Sequence, residues 1–210
     1  MIKIHLYYLF NKLIIAIILI TNLMILFSLL VNDKNMYSYL DNVYPFLKII
    51  SVLISIFIYC YSMSEARDYY FYFYVGSISR VKYLFTKLIC LLIINFVIIL
   101  MFYLLFLFVS RIVIDEYYYF SIIHIRFITI FILNNVYGMI AFIMIMLVNN
   151  QFIMLIPFGL FIFGDNLEGF SSILLNDKIN SDFLIIYGII ILVIYWLIAL
   201  IIYKFKDINY

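Results

Sequence analysis

Proline and glycine, the two residues that punctuate turns, are scarce in this chain, with Pro 2 and Gly 6 among 210 residues. Charge is equally thin. Only 11% of residues are Asp, Glu, Lys or Arg, where a soluble domain carries about a quarter. These shortages exclude an ordinary soluble domain, and a net charge of +2 is too small to point to nucleic acid. Alanine is also rare, at four residues beside many Ile, Tyr, Phe, Asn and Lys, a bias expected of an AT-rich genome. The two cysteines, Cys60 and Cys90, fall near one predicted membrane face, which predicts free thiols and no disulfide. His5 and His124 are far apart, so a metal site is not expected.

Catalytic signatures are missing as well. Gly159 and Gly164 have the glycine spacing of a phosphate-binding loop, but Asp165-Asn166 follows where Lys-Ser or Lys-Thr is needed to hold phosphate and Mg. There is no H-E-x-x-H, no G-x-S-x-G and no cysteine pair at metal spacing, so neither a catalytic nor a cofactor site is expected in this chain. Carboxylates are absent from the centres of the apolar runs, which leaves a proton- or sodium-coupled carrier without the oxygen ligands or titrating acid it needs. Energy for any transport is expected to come from another chain.

What the sequence does hold is apolar length. Hydrophobic residues make up 69% of it, and a helix needs about 20 of them in a row to cross a bilayer. The expected fold is an all-α integral membrane protein with six transmembrane helices, at residues 13–31, 44–61, 88–109, 127–148, 152–167 and 183–203. They nearly exhaust the length, so residues 1–210 are read as one transmembrane domain. The first run is long and lacks a small-x-small site before Asn32 and Asp33, so it is read as a retained span and not a cleaved signal. The fifth is the weakest. Its apolar core, 152–163, is twelve residues with Pro157 and Gly159 inside, about 18 Å of helix against a hydrocarbon thickness of about 30 Å. It must borrow from its flanks or stop part-way. Beyond it, Asp165, Glu168, Asp177 and Asp182 surround an apolar patch at 170–175 suited to a shallow re-entrant element on the outer side.

Basic residues set the orientation. The N-terminal segment, residues 62–87 and the C-terminal tail hold eight, against Lys34, Arg111 and Lys178 on the other face. This places both termini and residues 62–87 in the cytoplasm. Lys48 and Arg126 fall inside the outer ends of spans.

Polar residues inside the runs are mostly amides and tyrosines: Asn22, Asn95, Asn134, Asn135, Tyr137 and Tyr195. Hydrogen bonding between helices is their ordinary role. The four asparagines are also the candidates for lining a translocation path. Ser51 and Ser55 form a small-xxx-small pair that lets a neighbouring helix approach closely.

Residues 62–87 are a polar island between two apolar runs, with Glu65, Arg67, Asp68, Arg80, Lys82 and Lys87. Ser62 and Glu65 have the spacing of a capping box that opens a helix, Gly76 suits a helix end, and the aromatic run 69–74 suits the headgroup level. The island is read as a cytoplasmic contact surface.

With these features the layout resembles the permease subunits of type-2 ABC transporters, bacterial exporters in particular. The resemblance covers the whole chain as topology, and in sequence it lies in the island: Glu65 within Ser64-Glu65-Ala66-Arg67, then Ile78-Ser79-Arg80, Tyr83 and Lys87. The chain departs from the family pattern at Tyr69-Tyr70, where Gly-Thr is usual, at Ser77 in place of proline, and at Thr86 in place of the glycine before Lys87. The resemblance implies a cytoplasmic coupling helix between the second and third spans, with Glu65, Arg67, Asp68 and Arg80 as the ATPase-coupling residues. It also implies ATPase subunits that carry ATP and Mg, a second permease chain across a shared path, and a bacterial cell-membrane location. Hydrophobic or amphipathic peptides are the cargo it suggests first, and drugs or lipids next. Two rivals stand beside it: the membrane subunit of an energy-coupling vitamin importer, whose alanine-x-x-x-alanine face is reduced here to Ala16, and a non-transporting immunity or scaffold protein.

Overall fold

The computed structural model describes residues 36–65, 80–109, 120–148, 150–163 and 181–205. All of the regular structure in them is helical. α1 is Met36–Glu65, α2 Arg80–Val109, α3 Phe120–Val148, α4 Leu155–Phe163 and α5 Ser181–Phe205. A 3₁₀ turn, Gln151–Met154, leads into α4. Four helices are long and apolar enough to cross a membrane, through Tyr44–Ser62, Val81–Phe108, Ile123–Val148 and Ile185–Lys204.

Leu, Ile, Phe and Val fill these segments, and once their side chains face apolar surroundings the backbone has to satisfy its own hydrogen bonds, as a helix does. Pro45 lies inside α1 at the edge of its apolar segment, where the missing donor leaves only one carbonyl to be satisfied otherwise. The second and sixth expected spans correspond to the apolar parts of α1 and α5. The third starts earlier than expected, because α2 runs through Lys82 and Lys87 without a break. Lysine is a good helix former, and its stem packs against apolar neighbours. Ser62 lies inside α1, so the Ser62–Glu65 pair does not open a new helix there. The first expected span and residues 66–79, the centre of the expected coupling helix, fall outside the described residues.

Contacts between helices give their directions. Tyr44 meets Arg126, Ser51 meets Asn134 and Tyr59 meets Phe142, so α1 and α3 run parallel. Asn95 meets Asn135, while Tyr103 meets His124 and Phe127, so α2 runs antiparallel to them. α3 lies at the centre, packed against α1, α5 and α2. It is the most buried of the long helices and α5 is the least. One apolar cluster joins α1, α2, α3 and α5 around Ile94, Phe102, Phe106 and Phe142. A second joins α1, α3, α4 and α5 around Val52, Leu133, Val136 and Phe161.

The fifth expected span is short in its described part. Asn150 starts the turn, its side chain accepting from the Phe152 amide at 3.0 Å and its carbonyl from the Ile153 amide at 3.2 Å. The chain then folds back along α3, so that the Phe161 ring reaches Tyr137, with centroids 5.2 Å apart. Tyr137 is near the middle of α3, so the apolar stretch Phe152–Phe163 returns about half-way from the end of α3.

Candidate functional site

Three of the expected path residues come together. Asn95 is near the middle of the α2 apolar segment, Asn134 and Asn135 are near the middle of that of α3, and all three are buried. An amide among hydrocarbon must find partners, because each one left unbonded costs several kcal/mol. Asn95 Nδ2 donates to Asn135 Oδ1 at 3.0 Å and to Ser55 Oγ at 2.9 Å. The Tyr59 hydroxyl donates to the same Asn135 Oδ1 at 2.8 Å. Asn135 Nδ2 turns back to the Phe131 carbonyl of its own helix at 2.7 Å. Ser55 Oγ donates to the Asn134 carbonyl at 2.7 Å, so one hydroxyl links α1, α2 and α3.

Ser51 extends the network outward. Its hydroxyl lies 3.0 Å from the Lys48 carbonyl and 3.2 Å from Asn134 Oδ1. A hydroxyl has one proton, so the two acceptors compete. Turning the Asn134 amide over resolves the competition, since its NH₂ then donates to Ser51 while Ser51 donates to Lys48.

Small residues make this closeness possible. A Cβ on Gly138 would overlap the Tyr59 ring and come 2.9 Å from Ser55 Oγ. The expected close approach at Ser51 and Ser55 is therefore met by α3, with Gly138 completing it. Tyr137 is buried against Phe161 and Tyr195 is half-buried on α5.

The network belongs to a longer stripe that sequence reasoning saw only in part. Tyr44, Lys48, Ser51, Ser55, Tyr59 and Ser62 are all buried on α1, at intervals of three or four residues that hold one helix face. The signal was present, since this spacing puts these six on one side of the helix, while Tyr61 in the same span is exposed. Ser62 Oγ, at the far end, is buried and has no hydrogen-bond partner among the described residues. At the Tyr44 end the Arg126 guanidinium lies over the Tyr44 ring, 5.0 Å from its centroid. On α2, Lys87 is buried with its ammonium 5.8 Å from the Tyr83 ring centroid, and the Tyr103 hydroxyl lies 2.8 Å from His124 Nδ1.

These groups are suited to hydrogen bonding and to no acid–base chemistry at mid-depth. Among the described residues no group of His, Cys, Asp and Glu is arranged to hold a metal ion, and Cys60 and Cys90 are free thiols. Glu65 is the last described residue of α1 and Arg80 the first of α2. Arg67, Asp68 and Asn22 lie outside the described residues. Comparison with known proteins finds no matching family model, no matching curated protein and no matching solved structure.

Proposed function

We propose that this chain is the membrane-spanning subunit of an ATP-driven exporter of the type-2 ABC class, set beside a second permease chain and driven by separate cytoplasmic ATPase subunits. Its cargo is a hydrophobic or amphipathic peptide. The observation that carries this reading is the continuity of α1 and α2. α1 runs from its apolar segment to Glu65, and α2 starts at Arg80 ahead of its own apolar segment. Each has 30 residues, or about 45 Å of helix. Residues 66–79 are thus tied at both ends to helices that cross-link at mid-depth through Ser55 and Asn95. A push on the island from an ATPase would move α1 and α2 as levers, and the Ser55–Asn134 and Asn95–Asn135 bonds would carry it into α3.

Gentle detergent purification of the tagged chain from its native host, with mass spectrometry of what stays bound, tests the reading. An ATPase subunit is expected in the wild-type preparation and is lost from Glu65→Ala. Glu65→Ala and Arg80→Ala are each expected to abolish export and cargo-stimulated ATP turnover while membrane insertion persists. The chain recovered alone, under conditions that preserve other membrane complexes, would replace this reading with a scaffold or immunity role.

A further inference from the structure

A lysine on the outward face of an apolar helix finds polar company only where the headgroups begin. Lys82 is the second residue of the α2 apolar segment and Lys204 the last of that of α5, and both are exposed. Each heads a row of exposed apolar residues at helical spacing. Phe85, Ile93 and Phe96 follow Lys82, and Ile201, Leu197 and Val193 precede Lys204. From Lys82 to Ile93, or from Lys204 back to Val193, is about 16 Å of helix, close to half of the ~30 Å hydrocarbon core and so to one acyl-chain length.

The two rows lie side by side. Gly188 meets Ile132 of α3 while Trp196 meets Phe85 of α2, so α5 runs with α3 and against α2. The Phe85 and Trp196 rings touch edge to face with centroids 6.0 Å apart, which fixes how α2 and α5 face each other at this end. Going around each helix from that contact at about 3.6 residues per turn, Lys82 and Lys204 fall on the same side of it. Asn95, bonded to Ser55 and Asn135, and Gly188, against Ile132, fall on the other side, toward α1 and α3. The rows are therefore the two walls of a shallow outward groove, with a lysine at the head of each wall.

Charge selects the occupant. Among the described residues at this end, Arg80, Lys82, Lys87 and Lys204 stand against Glu65. Residues 66–79 and 206–210, which adjoin them in sequence, add Arg67 and Lys206 against Asp68 and Asp207, so the balance stays positive. Lys82 and Lys204 each have a contact within the protein. An ammonium has three donors, however, and one such contact leaves others for phosphate oxygens. Basic positions between transmembrane helices at headgroup level recognise anionic lipids in this way. A choline headgroup brings its own cation beside the phosphate, whereas a glycerol headgroup does not.

We propose that the groove between α2 and α5 binds an anionic phospholipid, with its phosphate between Lys82 and Lys204 and its acyl chains along Phe85 and Leu197. The site does not depend on the transport reading above.

Trp196 is the single tryptophan of the chain, and it reports on this groove. The full chain is reconstituted at low salt in vesicles of phosphatidylcholine dibrominated on its acyl chains, which quenches indole fluorescence at short range. Unbrominated phosphatidylglycerol or phosphatidylcholine then replaces it in increasing fraction, and relief of quenching gives the relative affinity of each lipid for the surroundings of Trp196. Phosphatidylglycerol is expected to bind about fivefold or more tightly than phosphatidylcholine, since each lysine at headgroup level contributes a factor of about five. Lys82→Gln combined with Lys204→Gln should bring the ratio to about one, with quenching in the brominated lipid alone unchanged. Lys82→Arg combined with Lys204→Arg should keep the preference. A ratio of one in the unsubstituted chain, or a preference that survives the double glutamine change, would overturn the site.

Discussion

Asn95 of α2 and Asn135 of α3 meet in the middle of their apolar segments, with Asn95 Nδ2 3.0 Å from Asn135 Oδ1, and the Tyr59 hydroxyl of α1 reaches the same oxygen at 2.8 Å. A single carbonyl oxygen therefore satisfies donors from two other helices, and the geometry of three helices depends on one amide.

Removing that amide should cost more than removing either donor. Asn135→Leu strands the Tyr59 hydroxyl and one Asn95 proton, and leaving a buried donor unsatisfied costs about 1–3 kcal/mol. Tyr59→Phe removes one donor and leaves Asn135 Oδ1 bonded to Asn95, for a loss nearer the ~0.6 kcal/mol average of interhelical bonds in membranes. The double variant should be more stable than the sum of the two losses predicts, because Asn135→Leu already forfeits the bond that Tyr59→Phe deletes. Unfolding of the purified chain by sodium dodecyl sulfate titration in mixed micelles measures all three, and strict additivity would mean that Tyr59 and Asn135 are not coupled.

Two glycines should respond to alanine in opposite ways. Gly138→Ala drives a methyl into the Tyr59 ring and against Ser55 Oγ at 2.9 Å, overpacking that costs about 1–3 kcal/mol and separates α1 from α3. Gly159→Ala meets nothing within 4 Å and gains the helix preference of alanine, about 1 kcal/mol. Unfolding midpoints should fall for the first and rise or hold for the second. A neutral Gly138→Ala would show that the two helices do not approach this closely.

The outward face of α5 is the place where charge should be least tolerated during insertion. Ile194 is near the centre of its apolar segment and exposed on that face. Ile194→Arg exchanges a favourable residue for one that costs about 3 kcal/mol at a helix centre. At Lys204, the last residue of the same apolar segment, Lys204→Arg should have little effect, since a long basic side chain there snorkels to water. The inserted fraction in a microsome assay should drop for the first variant only, and equal insertion of the two would place the α5 centre away from the hydrocarbon.

Much of the fold was legible residue by residue. Hydropathy located the apolar segments of α1, α3 and α5 to within a few residues, because insertion into a bilayer depends on summed transfer energies along the chain. The start of α2 was misplaced because Lys82 and Lys87 read as a boundary, whereas backbone hydrogen bonding continues through a lysine whose stem packs on apolar neighbours. The capping-box reading of Ser62 failed for a related reason: the same two residue types occur inside helices, and only the neighbouring backbone distinguishes the cases. For α4, the count of apolar residues left two readings of the fifth span, one that borrows from its flanks and one that stops part-way, and the contact at Tyr137 shows how far back its described part reaches.

What the sequence by itself determined is therefore the material of this protein: apolar helices, no catalytic or nucleotide motif, and amides placed where hydrocarbon would not tolerate them alone. Tertiary structure decided which partners those amides have. Asn95, Asn134 and Asn135 are compatible with many pairings as single residues in their helices. Only the packing of α1 and α3 through Ser51, Ser55 and Gly138 brings them within bonding distance of one another and of Tyr59. The reason is physical: transfer energy adds up along one chain and can be read in order, whereas a hydrogen bond in an apolar interior depends on distance and angle across helices far apart in sequence.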